Sequence, residues 1–245
     1  MVLVTGASRG IGAATARAAA RDGWTVIVNY LRNAEAAASV IDAIRAEGGT
    51  AHAIAADVGR EADVVRLFAE VDRVAGRLDA LVNNAGLLGS SVSAADLGEA
   101  DLLPLFQANV FGLAACTREA VRRMSTQRGG RGGVIVNLSS MAARSGGQVG
   151  WAHYAATKGA VDSLTIAQSR ELGAHGIRIN AVRPGLIATE IHDHRGGIAA
   201  LQPVRAQIPL GRIGDPEDVA GTVTWLLSPR AAFVHGALID VSGGR

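Results

Sequence analysis

The sequence predicts an α/β fold: a doubly wound parallel sheet of about seven strands with helices on both faces. Three observations point to it. Short, nearly continuous apolar runs alternate with longer Ala-rich stretches of helical period along the chain, and strands apolar on both faces belong to parallel sheets covered on both sides. The first run passes through a glycine-rich turn directly into a helical stretch, the junction at which open α/β sheets bind their ligands. Of 245 residues, 49% are hydrophobic, enough for a large core and too many for a disordered chain. α/β folds reach roughly 250 residues as one unit, and no linker or repeat interrupts the pattern. Residues 1–245 are therefore expected to form a single domain.

The elements follow in order. Residues 2–5 (Val-Leu-Val-Thr) form a strand ended by glycines, and residues 11–22 a helix stopped by Gly23. The β-branched stretch 25–30 is a second strand, and 34–47 a helix closed by Gly48 and Gly49. Buried strands are expected at 51–56, 80–83, 134–138 and 177–182, with a last one at 238–241. Helices fill about 61–75, 102–124 and 153–172. Right-handed crossovers between them wind the sheet in both directions.

Two stretches break this rhythm. Residues 122–133, with their Arg-Gly-Gly-Arg-Gly-Gly tail, resemble an RGG-type RNA contact. A cation-rich helix C-terminus running into a glycine loop explains them without a partner. Residues 186–214 form a long insertion after Pro184-Gly185 at the carboxyl end of a strand, where a substrate lid is expected. Its apolar Ile191, Ile198, Leu201 and Ile208 mix with Arg195 and Arg205. The pattern favours no substrate class.

Charge and cysteine content narrow the partners. A net charge of +2 offers no basic face for nucleic acid or a membrane surface, and no uncharged stretch approaches the ~20 residues of a membrane span. Cys116 is the only cysteine, so no internal disulfide framework exists and a reducing, cytoplasmic setting is expected. The N-terminus reads directly as a strand, without an export leader.

Composition hides a sharper fact. The 24 basic residues are 23 Arg and one Lys, Lys158, which lies four residues after Tyr154, one of two tyrosines. Four residues are about one helical turn. Arg and Lys are interchangeable as solvated charges, but not where a compact ammonium must stand beside a reacting group. A free phenol has a pKa of about 10, poorly matched to proton exchange at neutral pH, and a nearby cation would lower it.

Other residues gather at the predicted strand ends. The turn Thr5-Gly6-Ala7-Ser8-Arg9-Gly10-Ile11-Gly12 lets the backbone approach a pyrophosphate at a helix N-terminus; no Gly-Lys-Ser/Thr follows, which excludes a P-loop. The second strand ends Asn29-Tyr30-Leu31-Arg32 with no carboxylate before Glu35. Arg9 and Arg32 there suit the 2′-phosphate of NADP better than the bare ribose of NAD. Asn83-Asn84-Ala85-Gly86 ends the fourth strand, and its amides can tie strands together beside a close-approach glycine. Asn109 sits among Phe106, Val110 and Phe111, where a buried amide needs partners. Ser139 and Ser140 end the fifth strand.

Taken in order, these motifs resemble the short-chain dehydrogenase/reductase family in its branch of about 250 residues. The resemblance covers nearly the whole chain and implies a Rossmann-type fold and an NAD(P)-dependent oxidoreductase. It implies a catalytic tetrad of Asn109, Ser140, Tyr154 and Lys158. It also implies adenine contacts at Asp57 and Val58, and nicotinamide-side contacts at Pro184, Gly185, Ile187 and Thr189. Tyr154 would be the acid in reduction and the base in oxidation, its phenol lowered by Lys158 and by the positive charge of the oxidised nicotinamide, and Lys158 would also hold ribose hydroxyls. Ser140 would donate to the substrate oxygen, and Asn109 would hold a water linking Lys158 to solvent. Ser140 and Tyr154 are 14 residues apart, one more than the commonest family spacing, the extra residue falling in a loop with Gly146, Gly147 and Gly150. The expected activity is NADPH-dependent reduction of a small-molecule carbonyl of 3-oxoacyl or small-ketone type. The alternative is sugar or polyol (alcohol) oxidation. The family resemblance further implies a homo-oligomer, tetramer or dimer, built through the long helices and the C-terminal segment.

Rival readings are weaker. His192-Asp193-His194 lacks a third ligand for a metal, and Ser140 lacks the Gly-x-Ser-x-Gly elbow of a hydrolase. A non-catalytic NADP-binding sensor explains the glycine turn but not the tetrad. Cys116 and His153 are expected to be packing residues, and Trp151, Trp225 and Phe233 core or interface residues.

Overall fold

The computed structural model describes residues 1–190 and 202–245. Seven strands form one sheet: β1 (Val2–Val4), β2 (Val26–Tyr30), β3 (Ala51–Ala55), β4 (Ala80–Asn83), β5 (Gly133–Leu138), β6 (Ile177–Pro184) and β7 (Leu238–Val241). Their order is β3-β2-β1-β4-β5-β6-β7, with every pair parallel. The chain winds outward to β3, returns to β4 beside β1, and continues to β7. The reversal lies between β1 and β4, where ligands of doubly wound sheets bind.

Alternate strand residues feed two cores, as a period of two requires. On one face Val2, Val4, Val28 and Val136 pack beneath α1 (Gly10–Arg21), α2 (Ala34–Ala46) and α9 (Pro216–Leu227). On the other, Leu3, Ile27, Leu81 and Ile135 meet Phe68 of α3 (Glu61–Ala75), Met124 of α5 (Gly112–Met124) and Leu172 of α7 (Ala152–Leu172).

The structure departs from the sequence expectation in three places. The helix predicted over 102–124 is three pieces: α4 (Glu99–Phe106), a π-helical turn over Gln107–Phe111, and α5. Pro104 carries no N–H for the helical ladder, and the widened turn carries the buried Asn109. α9 was not foreseen, although Pro216 opens it and Asp218 accepts from the Asp215 backbone N–H at 2.8 Å. β6 runs on to Pro184 because Ala181–Pro184 pairs with β7.

The Arg-Gly segment is a loop, as expected. Backbone bonds Gly130 N–H to Ser125 O (2.9 Å) and Gly132 N–H to Met124 O (2.7 Å) fold it back, and Arg123 grips Asp72 through Nη2 at 2.7 Å. In the predicted lid, Ile187 bridges Gly214, and Ala188 N–H donates to Gly214 O at 2.8 Å, so its two ends are tied together. The described part includes the short helix α8 (Gln202–Arg205) and the buried Ile208. Ile191, His192, Asp193, His194, Arg195, Ile198 and Leu201 lie outside the described residues. Among those described, no helix is long and apolar enough to cross a membrane.

A buried polar ladder crosses the central strands toward the helices. Asn83 Nδ2 donates to Thr117 Oγ1 (3.1 Å) and Asn137 Oδ1 (2.9 Å), and Asn137 Nδ2 donates to Thr165 Oγ1 (2.9 Å). Each buried group left without a partner costs about 1–3 kcal/mol. Asn137→Ala removes one bond from each neighbour, leaving Asn83 its Thr117 bond and Thr165 its bond to Val161 O, and is expected to lower stability by about 1–3 kcal/mol, measured by urea denaturation.

Candidate active site

Parallel strands bring all their carboxyl ends to one sheet edge. There a cleft of about 730 Å³ opens, lined at one end by the glycine turn and at the other by Ser140, Tyr154 and Lys158. Sequence reasoning placed these groups together from separate stretches, and the fold joins them.

The glycine turn is held from both flanks. Gly6 and Gly10 adopt φ of +60° and +53°, open to glycine at little cost. Gly12 is required for space: a Cβ there would collide with Asn84 Nδ2 and the Gly6 carbonyl. Asn84 Nδ2 donates to the carbonyls of Thr5 and Gly6, each at 2.9 Å. Thr5 Oγ1 accepts from the N–H groups of Asn84 and Ala85 at 3.0 Å. From β2, Asn29 Oδ1 accepts from Gly6 N–H at 3.2 Å while its Nδ2 donates to Ala56 O at 3.1 Å. Arg9, the N-cap of α1, makes no side-chain cap bond. The helix therefore presents free N–H groups and the positive end of its dipole to the cleft, beside Ser8, Gly10 and Ile11. Such a cradle suits an anion.

Arg9, Arg32 and Arg60 border the β1–β3 end of the cleft together with Asp57 and Val58. Arg9 and Arg32 have no ion-pair partner among the described residues. Ala85, Gly86, Pro184, Gly185, Ile187 and Thr189 line the middle.

The chemical end is compact. Ser140 stands beside Tyr154 and favours its ionised form, and its Oγ accepts from Ala142 N–H at 3.1 Å. The longer Ser140–Tyr154 connection is taken up by the short helix α6 (Ala142–Ser145) and by Gly146, Gly147 and Gly150, all at positive φ. Lys158 is 6% exposed, with Nζ 5.8 Å from the Tyr154 ring centre. Its Nζ donates to Leu138 O at 2.7 Å, and Ser139 Oγ donates to the Lys158 carbonyl at 3.2 Å. Loss of water pushes the Lys158 ammonium down to about 8, an effect that Asp162 opposes. Desolvation pushes the Tyr154 phenol above its usual range, opposed by Ser140. In the protein alone, burial outweighs Ser140 and holds the phenol protonated.

Three expected site residues do not line the cleft. Tyr30 packs against the apolar core under α1 and α2. Asn83 is spent on the interstrand ladder. Asn109 uses its whole amide internally: Oδ1 accepts from Leu87 N–H (2.7 Å), and Nδ2 donates to Leu87 O (2.9 Å) and Thr157 Oγ1 (3.0 Å). It still flanks the site, since a Cβ on Gly86 would meet Asn109 Oδ1 at 3.1 Å and Lys158 Nζ at 3.6 Å. Asn29 does border the cleft, but its amide fastens the turn rather than projecting free.

Sequence reasoning also missed participants. Asn84 was expected to tie strands, but not to fasten the glycine turn itself. Trp151, expected in core or interface, lines the cleft, as do Gln148, Glu190 and Arg245. Phe233 is fully exposed and not core, whereas Trp225 packs against the core. Cys116 is buried with its thiol pushed up to about 12, which fits packing and not reactivity. His153 is likewise buried.

Comparisons with known proteins converge on one family. The family model described as enoyl-(acyl carrier protein) reductase matches residues 6–245. An uncharacterized oxidoreductase of Escherichia coli strain K12, YgfF, is 45% identical over 245 residues, covering 100% of this chain and 99% of its own. A 3-oxoacyl-[acyl-carrier-protein] reductase, FabG, of Staphylococcus aureus is 39% identical over 242 residues, 99% and 96% of the two chains. The crystal structure of a short-chain dehydrogenase from Burkholderia cenocepacia in complex with NADP superimposes with a TM-score of 0.90 at 34% identity, covering 99% of this chain and 96% of that one.

Gly12→Ala tests the turn. The added methyl has only backbone and the Asn84 amide to displace, so stability is expected to fall by about 1–3 kcal/mol. Thermal stabilisation by added dinucleotide should vanish with it. Both are read in one series of melting curves.

Proposed function

The chain belongs to the short-chain dehydrogenase/reductase family, oxidoreductase enzymes that bind NAD(P), and on that premise we propose that it is an NADPH-dependent reductase of small carbonyl substrates, of 3-oxoacyl or small-ketone type. The observation that carries this reading is the grouping of Ser140 and Tyr154 with the Lys158 ammonium behind the phenol, at the far end of a cleft that begins in an anion cradle. The 3-oxoacyl reductase FabG agrees with the substrate class, and the NADP complex of the Burkholderia relative agrees with the cofactor.

The residues present fit a dinucleotide. The space a Cβ on Gly12 would need is already filled by the turn that closes over α1, leaving backbone N–H groups for the pyrophosphate. Arg9 and Arg32 would take a 2′-phosphate, Asp57 and Val58 the adenine, Thr189 the carboxamide, and Lys158 the ribose hydroxyls. When bound, the nicotinamide supplies or accepts the hydride.

The chain's own groups handle the proton. Ser140 donates to the substrate oxygen and holds it against Tyr154. A phenol kept protonated by its surroundings is loaded as an acid, which suits reduction: it gives its proton to the oxygen as negative charge develops there. Lys158 then stabilises the phenolate left behind. Asn109 serves by clamping the Leu87 backbone and Thr157 rather than by touching substrate.

The same reading takes residues 1–245 as one catalytic domain and the chain as a cytoplasmic homo-oligomer, dimer or tetramer. Exposed Leu103 and Phe111 on the α4–α5 face and Phe233 supply apolar surface for it; light scattering decides it.

Tyr154→Phe should cut carbonyl reduction by about 10²–10⁴-fold while NADPH affinity stays near wild type, in paired turnover and fluorescence titrations. Lys158 is charged below about 8 and neutral above it. Reduction should therefore fall as pH rises through that range. Arg9→Ala with Arg32→Ala should weaken NADPH binding by about 10–100-fold and leave NADH unchanged, since charge-assisted bonds of about 1.5–3 kcal/mol are lost only with the phosphate.

A further inference from the structure

Asp162 has no part in the chemistry described so far. It lies four residues beyond Lys158 on α7, one helical turn along the same face, and is 7% exposed. Its Oδ2 accepts from Arg183 Nε at 2.9 Å and lies 2.7 Å from Arg183 Nη2. Its Oδ1 is buried with no hydrogen-bond partner. Arg183, on β6, also reaches Asp240 of β7 at 3.4 Å, and Asp240 accepts from Arg144 of α6 at 2.9 Å.

A tie between α7 and β6 explains Oδ2 alone. It leaves unexplained a second carboxylate oxygen kept from water with nothing to accept from, which is costly for a group whose only use is a strap. The nearby buried cation of the same helix is Lys158. The charged or titratable groups around that ammonium are Tyr154 and Asp162 from its own helix, then Arg183 and Asp240 behind Asp162. β5 offers the Leu138 carbonyl, and the Asn109 amide of the π-turn lies near it beside Gly86.

We infer that Asp162, oriented by Arg183, is a positioning residue whose carboxylate keeps the Lys158 ammonium charged in its buried place, and so sets the pH range over which Tyr154 has a cation behind it. The electrostatic influence of Asp162 on Lys158 is in the required direction, opposing burial. The effect on turnover rests on the reductase reading above; the effect on Lys158 itself does not.

Lys158 is the only lysine in the sequence, so protein grown on ε-¹³C-lysine gives one lysine signal by NMR, and its titration can be followed without cofactor or substrate. The wild-type midpoint is expected at about 8. Asp162→Asn should move it down by about one unit or more, Asp162→Glu should restore it, and Arg183→Gln, which removes the opposing cation, should move it up. An Asp162→Asn midpoint within about 0.3 of wild type, or Asp162→Asn and Arg183→Gln shifts of the same sign, overturns the inference. If Asp162→Asn does not fold, Arg183→Gln decides: an upward shift supports the role, and none or a downward one refutes it. In turnover, the high-pH fall of carbonyl reduction should move with the NMR midpoint, whereas a merely structural defect lowers kcat equally at all pH. Shifts in the titration with no reduction of any carbonyl would overturn the reductase reading and leave the Asp162 assignment standing.

Discussion

Placing an ammonium inside a protein is expensive unless the surroundings replace the water it loses. Lys158 finds its replacement in three places: the Leu138 carbonyl at the end of β5, the face of Tyr154, and the field of Asp162. Each depends on an element fixed elsewhere. Leu138 is where it is because β5 pairs with β6 over its whole length and with β4 over residues 134–137. Tyr154 and Asp162 are where they are because α7 is unbroken from Ala152 to Leu172. Parallel pairing sends every strand's carboxyl end to one edge, so the buried cation and the anion cradle share a cleft.

The cradle end follows a complementary logic. A glycine turn has no side chains with which to fix itself, and its freedom would otherwise be lost entropy. The fold supplies rigidity from neighbouring strands: Asn84 and Thr5 across the β1–β4 junction, Asn29 from β2. The turn can then remain bare toward ligand while being fully bonded on its protein side. Asn109 does the same for the loop after β4, and the π-helical turn brings its amide to Leu87 and Thr157. Extra-wide turns of this sort recur at functional sites.

What could be read beforehand follows from this division. Strands were legible because a central parallel strand is apolar on both faces, so β2, β4 and β5 appear as unbroken runs. The glycine turn and the Tyr154–Lys158 pair were legible because each is local in sequence. The helix over 102–124 was overextended because its apolar period continues through the break, and nothing in the period announces that Pro104 and Asn109 divide it. α9 was lost between the insertion ending at Gly214 and the last strand, where no element was expected, although its Asp-Pro-Glu-Asp start carried a capping signal. Asn29, Asn83 and Asn109 were recognised as important, and Asn83 as a tie between strands, but their particular partners were not foreseen. An amide's partners lie far along the chain, 22 residues for Asn109 and Leu87 and 54 for Asn83 and Asn137, and composition does not reveal which will use up its bonding capacity.

The Arg bias now has a physical meaning. The cations that grip carboxylates do so as forks: Arg123 on Asp72, Arg183 on Asp162, Arg212 on Asp218 at 2.6 and 2.7 Å. A guanidinium keeps its proton at any pH the protein meets, so these ties hold regardless of proton exchange at the site. Lys158 is the exception in both chemistry and place. It alone among the 24 basic side chains can give up its proton near neutrality, and it stands beside the Tyr154 ring. An arginine at that position would bring a larger planar head into the space between Gly86 and Leu138, and a charge that could not change. The structure thus separates two uses of positive charge: permanent forks that hold α5, α7 and α9 in place, and one small ammonium whose charge is left open to its surroundings.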